Sequence, residues 1–234
     1  MSPKRLVLMV EGQGDVEAAP TLVKRLLAEH SFFDAVSLDP HPIRVGEYSK
    51  ISKNGFAEWK RFLRVAAMRR NLGGCVLLLD GDSKTKVKGQ PFCAMRAAQR
   101  LAAEAMTVGA GAQFSVAIVF ACMEFESWLI AGVPSLVNQP FTDGRKEISE
   151  LPSRIPDNPE QIPRDAKGWF RRVMRTGYSA TRDQAELTRL VDLNAIRAHP
   201  SMRSFQRMES AIKEVVDAIR EGSHAVTPLP QKSG

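Results

Sequence analysis

The sequence predicts an α/β fold, a mostly parallel sheet flanked by helices. Two short apolar runs, residues 6–10 and 76–79, lack polar alternation, as do strands that are covered on both faces. Each run is followed at once by a turn that contains glycine and acidic residues. The segments between such runs carry apolar residues at helical spacing, and strands that alternate with helices in this way favour parallel pairing.

The elements of the first half follow from local patterns. Leu22, Val23, Leu26 and Leu27 lie at helical spacing. Residues 33–45 are weakly strand-like, and residues 46–55 are polar and predict a loop. Trp59 and Phe62 indicate a helix, which Gly73 and Gly74 are expected to close before the central strand. The expected elements beyond this strand are a basic loop at 84–89, a helix at 94–106, a strand at 114–121 and a helical segment at 122–129.

The second half has a different character. Six prolines between residues 134 and 163 disfavour a regular sheet there. Helical spacing returns later, and the chain ends in a segment that is expected to fray. The predicted helices cover 166–175, 184–190 and 205–219. The predicted organisation is a catalytic α/β domain at 1–133, a proline-rich and then basic helical extension packed on it at 134–223, and a flexible tail at 224–234.

Composition limits the class of protein. The chain has 234 residues, of which 44% are hydrophobic and 25% charged, as in a protein with a packed core. No apolar run approaches the length of a membrane-spanning helix, and the apolar run near the N-terminus is too short for a signal peptide. The cysteines Cys75, Cys93 and Cys122 have no metal-type spacing. We therefore expect buried thiols, a cytoplasmic location and no contact with membranes.

The net charge of +7 is concentrated in one segment. Residues 164–207 contain ten Lys or Arg and four Asp or Glu. A local basic excess is the electrostatic pattern of a surface that binds a polyanion, and nucleic acid is the expected partner. A solvated basic face is the alternative. The candidate nucleic-acid contacts in this segment are Lys167, Arg171, Arg172, Arg175 and Arg182.

Acidic residues follow three of the predicted strands. Because the carboxyl ends of parallel strands lie at one edge of a sheet, these residues are expected to converge there. Neighbouring carboxylates repel one another unless a cation or a proton separates them, and Mg²⁺ binds carboxylates together with substrate phosphates. The sequence therefore predicts a metal site. Its candidate ligands are Glu11, Asp15, Asp80, Asp82, Glu124 and Glu126.

Two of these motifs resemble the TOPRIM domain of topoisomerases, primases and old-type nucleases. They are Val10-Glu11-Gly12 with Asp15, and Leu79-Asp80-Gly81-Asp82-Ser83. The resemblance covers roughly residues 5–130 and implies a TOPRIM/Rossmann-like sheet. Under it Glu11, Asp80 and Asp82 are the catalytic residues. Glu11 is a metal ligand or general acid/base, Asp80 and Asp82 hold Mg²⁺ or Mn²⁺, and Glu124 or Glu126 holds a second ion.

The same resemblance suggests further partners. Lys84, Lys86 and Lys88 lie beside the acidic turn, where they are expected to contact phosphate. A mobile charged loop is the alternative. The segments 123–129 and 177–184 resemble a bacterial TOPRIM-like family known only as a domain of unknown function. Some relatives of that family are encoded beside ATPases in loci of phage-defence type, which implies an ATPase partner.

The predicted function is hydrolysis of phosphodiester bonds in DNA or RNA by a Mg²⁺-dependent nuclease. A topoisomerase needs a nucleophilic tyrosine in a second domain, and neither Tyr48 nor Tyr178 has a recognisable setting. A primase needs a zinc module, and the cysteine and histidine spacing does not supply one. A dehalogenase-type phosphatase leaves Glu11 unexplained, and a nucleotide-sugar transferase leaves the basic segment unexplained. The alternative is a non-catalytic subunit that binds nucleic acid or an ATPase.

Overall fold

A computed structural model describes residues 2–86, 89–161 and 165–230. Its strands are β1 (Lys4–Val10), β2 (Val36–Leu38), β3 (Ile43–Arg44), β4 (Leu72–Asp80), β5 (Ser115–Ala121) and β6 (Val226–Thr227). They form a six-stranded parallel sheet with the order β2-β1-β4-β5-β6, and β3 also pairs with β1. The predicted α/β fold class is therefore confirmed.

Helices cover both faces of this sheet. They are α1 (Asp15–Glu29), α2 (Tyr48–Ile51), α3 (Lys53–Ala67), α4 (Ala94–Met106), α5 (Glu126–Ala131), α6 (Ala166–Val173), α7 (Ala180–Leu190), α8 (Leu193–Ala198) and α9 (Arg203–Arg220). Along β1, Leu6 and Leu8 pack into one core with residues of α1 and α9, whereas Val7 and Met9 pack into a second core with residues of α3 and α4. Both faces are buried, which explains why the strands lack polar alternation.

Gly73 and Gly74 do not close a helix, as the sequence predicted, but lie inside β4. A Cβ atom on Gly73 would lie 2.6 Å from the Cβ of Lys4 and 2.9 Å from Ile219 Cδ1. A Cβ on Gly74 would lie 3.0 Å from a methyl group of Val215. These glycines are needed because α9 crosses the start of β4 closely, which local sequence does not reveal.

Three other segments differ from expectation. Residues 46–55 are not a loop, since they contain α2 and the start of α3, whose Tyr48 and Ile51 are buried. Residues 122–129 are not one helix, because Met123 has a positive φ of 63° and α5 begins only at Glu126. The tail is not free from residue 224, because β6 pairs with β5 through Val226 and Thr227. Residues 231–234 of the predicted tail lie outside the described residues.

The helical extension is largely as predicted. Helix α9 and α7 match their predicted positions, although α7 begins at Ala180 and the short α8 was not expected. Helix α6 ends at Val173 because Met174 is extended, so Arg175 lies beyond the helix that was predicted to contain it. In the described part of 134–165, regular structure is limited to two short 3-10 turns. Helix α9 packs on β4 and β5 and belongs to the same core as α1.

The three cysteines are free thiols. Cys75 is buried as expected, but Cys93 and Cys122 are half-exposed, because they lie in the turns that precede α4 and follow β5. None of the helices in the described part of the chain has the length and apolar character that a membrane crossing requires.

Candidate functional site

The carboxyl ends of β1, β4 and β5 lie side by side and bring the predicted acids together. Val10 is in register with Leu78, and Asp80 is in register with Ala121. Glu11, the first residue after β1, accepts a hydrogen bond through Oε2 from the backbone N–H of Asp80 at 3.1 Å. The carboxylate of Glu11 is thus in direct contact with the backbone of Asp80.

The turn after β5 completes this edge. The N–H of Gly81 donates to the carbonyl of Ala121 at 2.8 Å, and a Cβ atom on Gly81 would lie 2.7 Å from that same oxygen. Glycine therefore allows the two turns to touch. Asp80 Oδ1 in turn accepts the N–H of Phe125 at 2.9 Å. The left-handed backbone of Met123 redirects the chain here, and such conformations occur often at functional sites.

A lysine lies within the acidic cluster. The Nζ atom of Lys167 is 3.2 Å from Glu124 Oε1, 3.4 Å from Asp80 Oδ2 and 3.7 Å from Glu126 Oε2. Glu124 also accepts the N–H groups of Ala166 and Lys167 through Oε2, at 3.0 and 3.3 Å. The first turn of α6 is thereby fixed against the acids, and its lysine acts as their internal counter-ion.

The segment 177–184, which the sequence also singled out, contributes hydrogen bonds to the acids. Tyr178 donates its hydroxyl to Glu126 Oε1 at 2.7 Å, and Gln184 donates Nε2 to Asp15 Oδ1 at 2.9 Å. A Cβ atom on Gly14 would lie 2.2 Å from Gln184 Oε1, so glycine there lets α7 approach the start of α1. The motif therefore orients two of the candidate ligands.

Burial raises the proton affinity of the acids. It raises the pKa of Glu11 to about 7, with the charges of Asp15 and Asp82 acting in the same direction and the hydrogen bond from the Asp80 N–H opposing it. Burial also raises the pKa of Asp80 well above its usual range, although Lys167 opposes the shift, and it raises that of Glu126. In this buried environment the ionised form of these carboxyl groups is therefore disfavoured.

The pKa values of Lys167 and Tyr178, whose side chains contact these acids, are raised as well. Burial alone would lower the pKa of Lys167, but the carboxylates of Asp80, Glu126 and Glu124 outweigh it and raise that pKa. Burial, followed by the charge of Glu126, raises the pKa of Tyr178, so its hydroxyl stays protonated and remains a donor.

The chemistry of these acids fits a divalent cation, although their arrangement in the described residues does not form a ligand set. Carboxylate oxygens are the ligands that Mg²⁺ prefers, and Lys167 pairs with three of the acids at this edge. Glu126 Oε2 is buried without a hydrogen-bond donor in the described residues. Within those residues no three His, Cys, Asp or Glu side chains already converge as a ligand set. Glu124 and Glu126 point to Lys167, which occupies part of the space between the acids.

The other residues that the sequence predicted as site residues are mostly exposed. Lys84, Lys86, Arg171 and Arg175 are exposed, and Lys88 lies outside the described residues. Arg172 is exposed and pairs with Asp165, whereas Arg182 pairs with buried Asp183 and donates to the carbonyl of Gly177. Asp82 is half-buried and adds negative charge near Glu11.

Sequence reasoning missed the partners of the acids. Lys167 was expected to contact nucleic acid, but its ammonium group faces three carboxylates. Tyr178 and Gln184 were not candidates, although the motif that contains them was recognised. Tyr178 lies just before α7 and Gln184 lies within it, so both side chains can reach the acids from one short segment. The motif itself was the available signal.

Comparison with known families assigns the chain by its sequence. The family described as Domain of unknown function (DUF4276) matches residues 10–213, which includes every acid of the cluster. The chain belongs to this family. No curated protein and no solved structure matches the chain. For this DUF4276 member the site itself must supply the argument for function.

The raised pKa of Glu11 predicts how stability depends on pH. Its carboxyl group has an ordinary pKa of 4.5 and a folded pKa of about 7. Between these values the folded protein binds more protons than the unfolded chain, so its contribution to stability falls as the pH rises. Thermal unfolding in EDTA should show that Glu11→Gln stabilises the protein increasingly from pH 5 to pH 8. The exposed Glu17→Gln is the matched control, and equal curves for both variants would contradict the prediction.

Proposed function

We propose that this DUF4276 protein is a divalent-metal-dependent nuclease that hydrolyses phosphodiester bonds of DNA or RNA. The observation that carries the proposal is that acids follow three neighbouring strand ends at one edge of the sheet. Glu11 accepts the N–H of Asp80 there, and Lys167 pairs with both Asp80 and Glu124. Phosphoryl transfer requires groups that hold cations, a group that moves a proton, and charge that stabilises the phosphate oxygens. This cluster contains residue types for each role.

The roles follow from position and charge. Glu11, Asp15, Asp80 and Asp82 would hold Mg²⁺ or Mn²⁺, and Glu124 or Glu126 would hold a second ion. Such an ion, when bound, would stabilise charge on the phosphate and activate a water molecule. Glu11 has a pKa of about 7 in the metal-free protein, a value suited to a general acid/base near neutral pH.

The basic surface supplies the attraction for the polymer. Arg171 and Arg172 are exposed in the last turn of α6, and Arg175 is exposed just beyond its end. The first turn of the same helix carries Lys167 into the acid cluster. An open cavity of about 890 Å³, lined by Arg154, Trp169 and Arg172, lies beside the same helix. A phosphate backbone that followed these arginines would therefore pass near the proposed catalytic residues.

A triple substitution tests this surface. Replacement of Arg171, Arg172 and Arg175 with Gln should weaken nucleic-acid binding and flatten its salt dependence, by about 0.9 in the logarithmic slope for each lost phosphate contact on a duplex. Binding should be measured at several salt concentrations in EDTA, so that cleavage does not interfere. The control replaces three other exposed basic residues, Lys24, Arg64 and Arg70, with Gln. Equal losses in both triple variants would indicate only a general effect of net charge.

The metal is tested through stability. Mg²⁺ or Mn²⁺ should raise the melting temperature of the wild-type protein and leave Asp80→Asn/Asp82→Asn unchanged, because ligand that binds the folded state stabilises it. The control is Asp143→Asn/Asp157→Asn, which removes the same charge at positions away from the cluster and should keep the response. Equal shifts in the wild type and in the Asp80/Asp82 variant would contradict the metal assignment.

The direct test of activity is incubation of the purified protein with plasmid DNA and with structured RNA, in Mg²⁺, Mn²⁺ or EDTA. The proposal expects cleavage that requires metal and is lost in Asp80→Asn/Asp82→Asn. Absence of cleavage with every metal and substrate, while nucleic acid still binds, would favour the second candidate.

That candidate is a non-catalytic subunit that binds nucleic acid or an ATPase, for example in a phage-defence system. One observation favours it: Lys167 already neutralises part of the cluster, and the described acids do not form a ready ligand set. Repeating the assay with a purified ATPase partner and ATP would separate a partner-dependent enzyme, which gains cleavage, from a subunit that only binds.

A further inference from the structure

A small pocket lies along the outer edge of β5, next to the proposed catalytic site. Its volume is about 310 Å³, at the lower end of the range for small-ligand sites. Gly81, which directly follows Asp80, lies at one end of the pocket. The walls come from α4, β5 and α9 and include Ala94, Ala98, Phe120 and Arg203.

The pocket exists because β6 is short. Strand β6 pairs only with Val116 and Ala117, and within the described residues no strand continues along the second half of β5 on the side away from β4. The N–H of Val116 donates toward the β6 side, to the carbonyl of Ala225, whereas the carbonyl of Ala121 points to the β4 side and accepts from Gly81. Because these directions alternate along a strand, the N–H and C=O of Phe120 both face the open edge.

This edge presents one donor and one acceptor side by side in a mainly apolar pocket. Phe120 is only 7% exposed, and buried backbone groups are nearly always paired. A ligand that enters the pocket would therefore be selected for a matching acceptor and donor on one edge, with flat apolar faces to lie against Ala94 and Ala98. Nucleobases have this combination, since each carries adjacent donor and acceptor groups on a planar ring.

Positive charge lies at the rim of the pocket. Arg203 is exposed, and its guanidinium forms no ion pair within the described part of the chain. Arg207, one turn further along α9, is held by Glu214 and Thr227. A free guanidinium beside an apolar pocket is suited to a phosphate attached to the bound base.

Both ends of the open edge are closed, which argues against an added peptide strand. The N–H of Cys122 already donates to Ser204 Oγ at 2.9 Å, and Pro228 lies at the other end, directly after β6. The open stretch of β5 is therefore about one residue long, whereas addition of a peptide strand depends on a row of backbone hydrogen bonds. The pocket therefore fits a compact planar group better than an extended chain.

We propose that this pocket binds the base of the nucleotide next to the phosphate that the acidic site cleaves. The inference rests on the proposed nuclease function and adds its substrate contact: the Phe120 backbone pairs with an edge of the base, Ala94 and Ala98 contact its face, and Arg203 contacts a phosphate. Sequence preference of cleavage would then arise at this pocket.

The test measures binding without turnover. The four nucleoside 5′-monophosphates and inorganic phosphate are titrated by calorimetry into the full chain in EDTA. Ala94→Leu fills the pocket from a partly exposed position, and Ala103→Leu makes the same change at an exposed position of α4 outside it. We expect at least one nucleotide to bind more tightly than phosphate. Ala94→Leu should lower the affinity for that nucleotide about tenfold, which corresponds to about 1.4 kcal/mol.

Substitution of Arg203 with Gln should lower the affinity for the same nucleotide, whereas Arg64→Gln should leave that affinity unchanged. The pocket is overturned if no nucleotide binds better than phosphate, or if Ala94→Leu and Ala103→Leu bind alike. It is also overturned if only a short extended peptide binds and Ala94→Leu blocks it, which would assign the edge to strand addition. Cleavage that persists while nucleotide binding fails contradicts the pocket alone. Nucleotide binding without any cleavage contradicts the proposed nuclease alone.

Discussion

Replacement of Glu11 with Gln should leave a folded protein that still binds nucleic acid but cleaves it about 10² times more slowly or worse, the usual scale for a lost acid/base group. Glutamine keeps the volume of the side chain and can still accept the hydrogen bond from the Asp80 N–H. It removes the negative charge that would hold a cation and the group that would move a proton. The effect should therefore fall on turnover and spare the fold.

The measurement is single-turnover cleavage of plasmid DNA and structured RNA in Mg²⁺ or Mn²⁺, together with a binding assay in EDTA. Glu17→Gln, six residues along the chain and exposed on α1, is the matched control and should cleave like the wild type. Wild-type cleavage that survives Glu11→Gln would mean that this glutamate is structural. The resemblance to the TOPRIM domain would then lose its central residue and should be abandoned.

The edge of the sheet was predictable because it depends on local patterns. Continuous apolar runs mark β1 and β4, and the residues that follow them must lie at the carboxyl edge if the strands are parallel. Glu11 and Asp80 are therefore neighbours as expected, with Glu11 Oε2 3.1 Å from the backbone nitrogen of Asp80. The glycine at 81 was also recognisable as a turn residue, although its contact with the β5 turn was not.

The partners of the acids were not predictable, because they come from distant parts of the chain. Lys167 is 87 residues from Asp80 in sequence, and Gln184 is 169 residues from Asp15. A single sequence gives no distance between such positions, so a basic residue in a basic segment was assigned to nucleic acid. The same limitation hid β6, whose two residues form a strand only because β5 offers an edge.

The place of Lys167 leads to the second large expected effect. Its ammonium group lies within 4 Å of carboxylate oxygens of Asp80, Glu124 and Glu126. Removal of one partner from a buried ion pair costs about 3–5 kcal/mol, because the other charge is left without compensation. Lys167 is 35% exposed, so solvent screening reduces the expected loss for Lys167→Met to about 2 kcal/mol in the metal-free protein.

Urea unfolding in EDTA at pH 8 should show this loss, whereas Lys146→Met, an exposed lysine, should unfold like the wild type. The deficit should shrink at pH 5, because burial already raises the pKa of Asp80 and Glu126 and protonation can then replace the missing counter-ion. Mg²⁺ should restore more stability to Lys167→Met than to the wild type, since a cation would occupy the charge deficit directly. If Lys167→Met is as stable as the wild type in EDTA at pH 8, the lysine is not the counter-ion of these acids. If Mg²⁺ stabilises neither protein, the cluster is neutralised by protons and hydrogen bonds alone, and its use as a metal centre is contradicted.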